Sequence, residues 1–268
     1  MKKNTLWGLA CTLILGLVTF SACSSDDDNN TPVTEPVLLS KIDMVTVMHA
    51  TGDTVSNSTQ TNIWEGGLLK KMHAVGIIKT DGEKIPIELG YVFTYSGKNC
   101  TEIKTLDGMT VNSYTYDAKG RMTSATSKTS ASDHTIGNIR DIQIKAYTKD
   151  GHIQQMEETL TYSWGETRKT SYDLTWKNGD LVKWTTHYLE PIGEDMTYEM
   201  EYDTYPSIYT GYPLARYIIE GPTGLCYRGS MHNPISGGDI YKYKNGRVVS
   251  SVSGNNTSHY TYTDGTSE

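Results

Sequence analysis

Five short segments of this 268-residue chain share one local grammar: an aromatic residue, a spacer, a glycine, one residue, then an aliphatic or thioether side chain. They are Trp64…Gly67…Leu69, Tyr116…Gly120…Met122, Tyr147…Gly151…Ile153, Trp176…Gly179…Leu181 and Tyr243…Gly246…Val248. The variable spacer has a physical reading. Gly-Gly at 66–67 and Asn-Gly at 178–179 and 245–246 suit two-residue loops of type I′. Ala-Lys-Gly at 118–120 and Lys-Asp-Gly at 149–151 suit three-residue loops, with glycine in the left-handed bulge position. With each loop length applied, the registers converge. Trp64 falls opposite Leu69, Tyr116 opposite Met122, Tyr147 opposite Ile153, Trp176 opposite Leu181 and Tyr243 opposite Val248. Asp117 then faces Arg121. Aromatic–aliphatic pairs of this kind contribute roughly 0.2–1 kcal/mol each.

Between these turns the chain reads as strands almost throughout, including 100–106, 195–204, 214–220 and 225–231. No window after residue 24 sustains a helical period. The expected fold is all-β: an antiparallel meander of short hairpins curled into a barrel-like or half-barrel sheet, since so many strands cannot stay flat. In Met196–Asp203, MTYEMEYD, alternation sends Met196, Tyr198, Met200 and Tyr202 one way and Thr197, Glu199, Glu201 and Asp203 the other. The acidic side must meet water, which argues against a membrane-spanning barrel with an apolar outer face. After residue 23 there are nineteen tyrosines and a single phenylalanine, Phe93. Buried hydroxyls need partners, so this bias suits half-wet surfaces such as a groove or a lumen; tyrosine's preference for strands accounts for it equally.

The first residues supply an address. Lys2 and Lys3 precede an apolar run from Leu6 to Phe20, the length of a signal-peptide core and too short for a comfortable span. The run ends in Phe-Ser-Ala-Cys, which resembles the lipobox of bacterial lipoproteins and implies an acylated Cys23. Residues 24–36, SSDDDNNTPVTEP, are too polar to fold and reach about 40 Å when extended. The expected organisation is a signal peptide at 1–22, an acylated cysteine and acidic tether at 23–36, and one β domain at 37–268. Loss of Lys2 and Lys3 takes the formal charge from −7 to −9, a surface that repels nucleic acid and leaves membrane attachment to lipid.

Two resemblances follow. Ser113–Ser127, SYTYDAKGRMTSATS, resembles one unit of the tyrosine–aspartate repeats of bacterial toxin shells. The other turns lack its Arg or its Tyr-Asp, and such shells need many more copies. A cysteine followed by serine and an acidic run resembles the surface-export signal of Bacteroidetes lipoproteins. With the meander and Glu201–Tyr217, EYDTYPSIYTGYPLARY, the chain resembles Bacteroidetes lipoproteins of unknown function with a porin-like fold. Tyr202-Asp203, Pro206 and Gly211-Tyr212-Pro213 carry that likeness. It implies a barrel-like antiparallel domain at the outer membrane and brings no catalytic residues.

Chemistry is sparse. The seven histidines are scattered without metal-binding spacing, so no metal, cofactor or catalytic group is expected. Glu199 and Glu201 lie roughly 7 Å apart on an ideal strand, and alternate glutamates there read as a solvated face. Asp53-Thr54-Val55 matches a loose acceptor pattern for O-glycosylation. Cys100 and Cys226 could bridge in an oxidising compartment, yet each sits in a strand-like context, and Cα atoms more than about 7 Å apart cannot be joined. The leading function is binding of a glycan or other polar organic ligand, with Tyr198, Tyr202, Tyr241 and Tyr243 lining a groove because each pair shares a strand face. The competing role is a structural or assembly partner of an outer-membrane protein complex; a glycan-processing enzyme ranks third.

Overall fold

The computed structural model describes residues 37–47, 54–80, 83–130, 136–235, 240–253 and 256–267. The segments expected as a signal peptide and a tether, and Cys23, lie outside them, as does the side chain of Thr54. The strands run β1 (Leu39–Val47), β2 (Thr54–Glu65), β3 (Leu68–Thr80), β4 (Glu83–Ser96), β5 (Asn99–Thr105) and β6 (Thr110–Tyr116). Then come β7 (Met122–Ser130), β8 (Ile136–Tyr147), β9 (Ile153–Thr161), β10 (Thr167–Lys177) and β11 (Asp180–Glu190). The last are β12 (Met196–Glu199), β13 (Tyr202–Pro206), β14 (His232–Pro234), β15 (Ile240–Lys244), β16 (Arg247–Ser253) and β17 (Asn256–Tyr262). Fifteen strands form one antiparallel sheet, β12 back through β1 and on through β17 and β16 to β15, while β13 and β14 pair separately. The chain's first and last strands meet, β1 against β17, and the sheet's open edges are β12 and β15.

All five expected registers are present: Trp64↔Leu69, Tyr116↔Met122, Tyr147↔Ile153, Trp176↔Leu181 and Tyr243↔Val248. Asn178 and Gly179, at φ 53° and 83°, show why Asn-Gly is used there. Tyr95↔Cys100 is a sixth pair of the same kind, across a turn with Gly97 at φ 60°. Tyr262↔Leu39 is a seventh, made between the chain's two ends.

Each of the seven pairs carries a β-bulge one residue past the aliphatic partner, at Ser40, Lys70, Thr101, Thr123, Gln154, Val182 and Val249. The extra residue lets two side chains three apart face the same way. Leu39 and Ile42, Leu69 and Met72, Cys100 and Ile103, Met122 and Ala125, Ile153 and Met156, and Leu181 and Trp184 are all buried. Full burial of such side chains stabilises by about 1.5–3 kcal/mol each. Bulges also strengthen twist, which curls the long sheet.

Curling spreads neighbouring hairpins apart at their glycine ends. Backbone pairing of β3 with β4 stops at Lys71↔Val92, of β5 with β6 at Glu102↔Ser113, and of β7 with β8 at Ser124↔Gln143. A ring donor crosses each gap. The Nε1–H of Trp64 donates to the carbonyl of Leu39, and the hydroxyl of Tyr95 to Leu69. Tyr116 donates to Cys100, Tyr147 to Met122, Trp176 to Ile153, Tyr202 to Leu181 and Tyr262 to Val248. The seven bonds measure 2.5–2.9 Å. Every acceptor is the aliphatic member of one hairpin pair, and the donors of the first five and of Tyr262 are aromatic members of the next.

Residues 207–230 fill the concave side. Two segments expected as strands are helices instead: α1 (Ala215–Ile218) lies within 214–220, and α2 (Gly221–Arg228) overlaps 225–231. Their aromatic and β-branched residues favour strands locally, but both segments are buried against the sheet, and Pro222 in the first turn of α2 suits a helix start. Ile208, Tyr212, Tyr217, Ile218, Leu225 and Cys226 are buried. Tyr212 meets Trp64 edge-on at 5.0 Å and receives a hydrogen bond from Asn62. Arg140 donates to the carbonyl of Ile219. Buried Arg216 lies 4.5 Å from the ring of Tyr91 and pairs with Glu220 at 3.1 Å, and Glu220 also pairs with Arg228.

The outer face is charged. Lys145–Glu157, Lys169–Glu190 and Lys183–Glu199 pairs, at 2.6, 2.7 and 3.1 Å, lie on it. A face of this kind could not sit in hydrocarbon. Among the described residues no helix is long and apolar enough to cross a membrane.

The ring-to-carbonyl bonds make a stability prediction. Tyr116→Phe removes the 2.6 Å bond to the carbonyl of buried Cys100 and is expected to cost about 1–3 kcal/mol. Exposed Tyr227→Phe should stay within about 0.5 kcal/mol of wild type. Urea unfolding measures both, and equal effects would contradict the bridging role.

Candidate functional site at the sheet seam

The two open edges come together around β13 and β14. The strand expected at 195–204 breaks after Glu199: the N–H of Met200 still bonds Val182, and the chain then leaves the large sheet. Tyr198 and Tyr202 therefore do not share a strand face, because they belong to different sheets. Glu199 and Glu201 are likewise separated by the break, and Glu199 pairs with Lys183. Tyr202 reaches one edge through the carbonyl of Leu181. The next residue, Asp203, takes the other edge by accepting from the hydroxyl of Tyr243. Asp203 also receives the Asn233 backbone N–H at 3.1 Å and its Nδ2 at 3.0 Å. A single dipeptide thus fastens both ends of the sheet.

Three of the four expected tyrosines gather here. Tyr202, Tyr241 and Tyr243 are half-buried, and Tyr243 stacks on Tyr205 at 4.0 Å. Their hydroxyls donate to protein acceptors: Tyr202 to Leu181, Tyr241 to the carbonyl of Pro234 at 3.2 Å, and Tyr243 to Asp203. Burial raises the hydroxyl pKa of Tyr202 and Tyr243 far above the ordinary range, so both remain donors. Tyr198 stands on the edge strand, 39% exposed and stacked on Trp184 at 4.9 Å.

Beside this junction lies an open cleft of ≈ 430 Å³, bordered by Lys177, Asp180, Glu201, Tyr202, Asp203 and His232. Asp180 is buried and holds His232 twice, through the backbone N–H at 2.9 Å and Nδ1 at 2.8 Å. A carboxylate only accepts, so Nδ1 donates. Sequence reasoning passed over this pair, 52 residues apart, because neither residue stands in a spaced motif. Ser230 is buried, accepting from the N–H of Leu181 and donating to Tyr202.

Cys100 and Cys226 are both buried free thiols, so the bridge considered from the sequence is absent. The reason is position: Cys100 is an acceptor residue of the ring ladder on β5, while Cys226 packs in α2 beneath Tyr202, 3.2 Å from its hydroxyl. Burial pushes Cys100 up to about 12 and Cys226 up to about 11, which leaves neither thiol reactive. Among the described residues no group of three or more His, Cys, Asp or Glu could hold a metal ion.

No protein-family model matches the sequence, and no curated protein matches it. Among solved structures, the chain is similar to a porin-like protein from Bacteroides uniformis, with a TM-score of 0.51 at 16% identity, covering 84% of this chain and 97% of that one. A porin-like protein from Bacteroides vulgatus matches with a TM-score of 0.29 at 8% identity, over 85% of this chain and 99% of that one. The Tc holotoxin pore of Photorhabdus luminescens matches with a TM-score of 0.28 at 12% identity, over 78% of this chain and 12% of that one. The first of these shows a porin-like fold for this chain.

One titratable cluster near the seam yields a pH prediction. His187 on β11 is clasped between Asp173, 3.0 Å from Nε2, and Asp195, 2.8 Å from Nδ1. Hydrogen bonds to Asp173 and then Asp195 raise its pKa above 6.5. A raised folded value means the clasp stabilises fully below the unfolded pKa and is lost as pH rises through the folded one. Asp195 lies in the turn leading to edge strand β12, so that turn is held best in mild acid. NMR titration should place His187 above the free value, and Asp173→Asn or Asp195→Asn should lower it. A wild-type value at or below that of a free histidine would contradict the clasp.

Proposed function

We propose that this chain is a lipid-anchored module of the bacterial outer membrane, facing outward and without catalysis of its own, that binds a small glycan fragment or similar polar ligand in the seam cleft. The cleft itself carries the reading. Its ≈ 430 Å³ falls within the roughly 300–1,000 Å³ common for small-molecule sites. The Lys177 ammonium and the Glu201 carboxylate are exposed at its border, and His232 adds an imidazole held in place through Nδ1. A donor, an acceptor and an oriented ring suit a hydroxyl-rich molecule. Of the four tyrosines expected to line a groove, Tyr202 alone borders this cleft, and it acts by fixing the wall, since its hydroxyl already bonds the carbonyl of Leu181.

Attachment through Cys23 is supported by the basic start, the apolar run, the lipobox-like ending and the polar tether. A second role, as a rigid body within an envelope assembly, draws on the concave side being occupied by residues 207–230.

The ligand reading is tested on a glycan array followed by calorimetry. Lys177→Ala and Glu201→Gln should each weaken the best ligand about tenfold, near 1.4 kcal/mol. Absence of any ligand, together with a stable envelope partner in pull-downs, favours the assembly role instead. Intact mass of the exported protein should include acyl chains, and Cys23→Ser should release it from the membrane fraction.

A further inference from the structure

The turn joining β9 to β10 lies at the end of β10 opposite the cleft, about 35 Å away along an 11-residue strand. It is closed by the N–H of Tyr162 to the carbonyl of Glu166 at 2.8 Å and of Gly165 to that of Tyr162 at 2.9 Å. On it stands Trp164, 68% exposed, the most exposed aromatic side chain among the described residues. One indole face is backed by Tyr162, with centroids 4.5 Å apart and planes 13° from parallel. The indole edge is pinned by Nε1–H donating to Glu166 Oε2 at 3.0 Å. Asn138 on β8 steadies the turn by accepting from the N–H of Ser163 at 3.2 Å.

We propose that Trp164, backed by Tyr162, is a stacking platform for a pyranose ring of a saccharide chain, a binding site separate from the seam cleft. A solvent-facing indole held in one orientation has already lost its rotamer freedom, so stacking on it costs little further entropy. Ser163, Glu166, Thr167 and Arg168 around it are exposed and polar. One bare indole face is far smaller than the roughly 800 Å² per partner that a stable protein interface needs. A single apolar tile ringed by hydrogen-bonding groups matches a sugar, whose ring offers an apolar C–H face and a rim of hydroxyls.

The test uses the full mature chain with neutral hexasaccharides of β-linked glucose, xylose and mannose, followed by calorimetry and tryptophan emission. Wild type should bind at least one of them, with a change in emission. Trp164→Ala should weaken that binding about tenfold or more, and Trp164→Phe, which keeps a flat ring, should retain most of it. The melting temperature should hold in both, because the side chain is exposed. Lys177→Ala should leave the Trp164-dependent emission change intact, which separates this site from the cleft. Failure of wild type to bind any of the three overturns the proposal. So does unchanged binding by Trp164→Ala, or a loss that follows Lys177→Ala alone.

Discussion

The fold depends on a ring that donates a hydrogen bond across the place where two hairpins stop pairing. Seven bulges curl the sheet, and the same curvature pulls neighbouring hairpins apart at their glycine ends. An unpaired carbonyl left there would be buried and costly. A Tyr hydroxyl or Trp Nε1–H reaches it, and the ring's own body covers the aliphatic side chain below. Curvature and closure are therefore achieved by one side chain per hairpin. The chemistry also explains why the ladder positions hold Tyr or Trp, because phenylalanine cannot donate. Phe93 is buried two pairs away from the ladder, opposite Ile103, where only apolar contact is required.

The seam is the same device adapted to a discontinuity. Beyond the short edge strand β12 the next hairpin is missing, and Tyr202 from the separate β13 supplies the ring to Leu181 on β11 in its place. At the β15 edge Tyr243 has no hairpin carbonyl to reach, and the carboxylate of Asp203 stands in. Two adjacent residues replace what would otherwise be a pair of neighbouring strands. The cleft lies beside this clasp, bordered by Asp180 and His232.

The hairpins were legible because turn chemistry and pair identity are local: Asn-Gly and Lys-Asp-Gly state the loop length, and loop length fixes the register. The bulges were legible in principle, since Leu69 and Met72, or Ile153 and Met156, are apolar at a spacing of three that a regular strand would put on opposite faces. Residues 207–230 were not. Their short helices have strand-like composition and become helical because they lie buried within the curl. The break at Met200 was hidden for a related reason, since alternation runs unbroken from Met196 to Asp203 while the demand that bends the chain comes from β15, forty residues on. Of the four tyrosines singled out, Tyr202, Tyr241 and Tyr243 meet at the seam and Tyr198 does not, and their partners, Leu181, Pro234 and Asp203, could only be seen once the edges met.

A ladder in which each unit lends a ring backward and offers a carbonyl forward has no preferred length. Each hairpin carrying both halves is one repeat of the ladder, so the width of such a sheet counts in steps of two strands. The mismatch left by each step falls on the Tyr202-Asp203 clasp. Lineages that resize this body would be expected to keep the hairpin grammar and to rewrite the stretch around that clasp, which is also where the cleft lies. The width of the sheet and the shape of the cleft are thus bound to the same few residues.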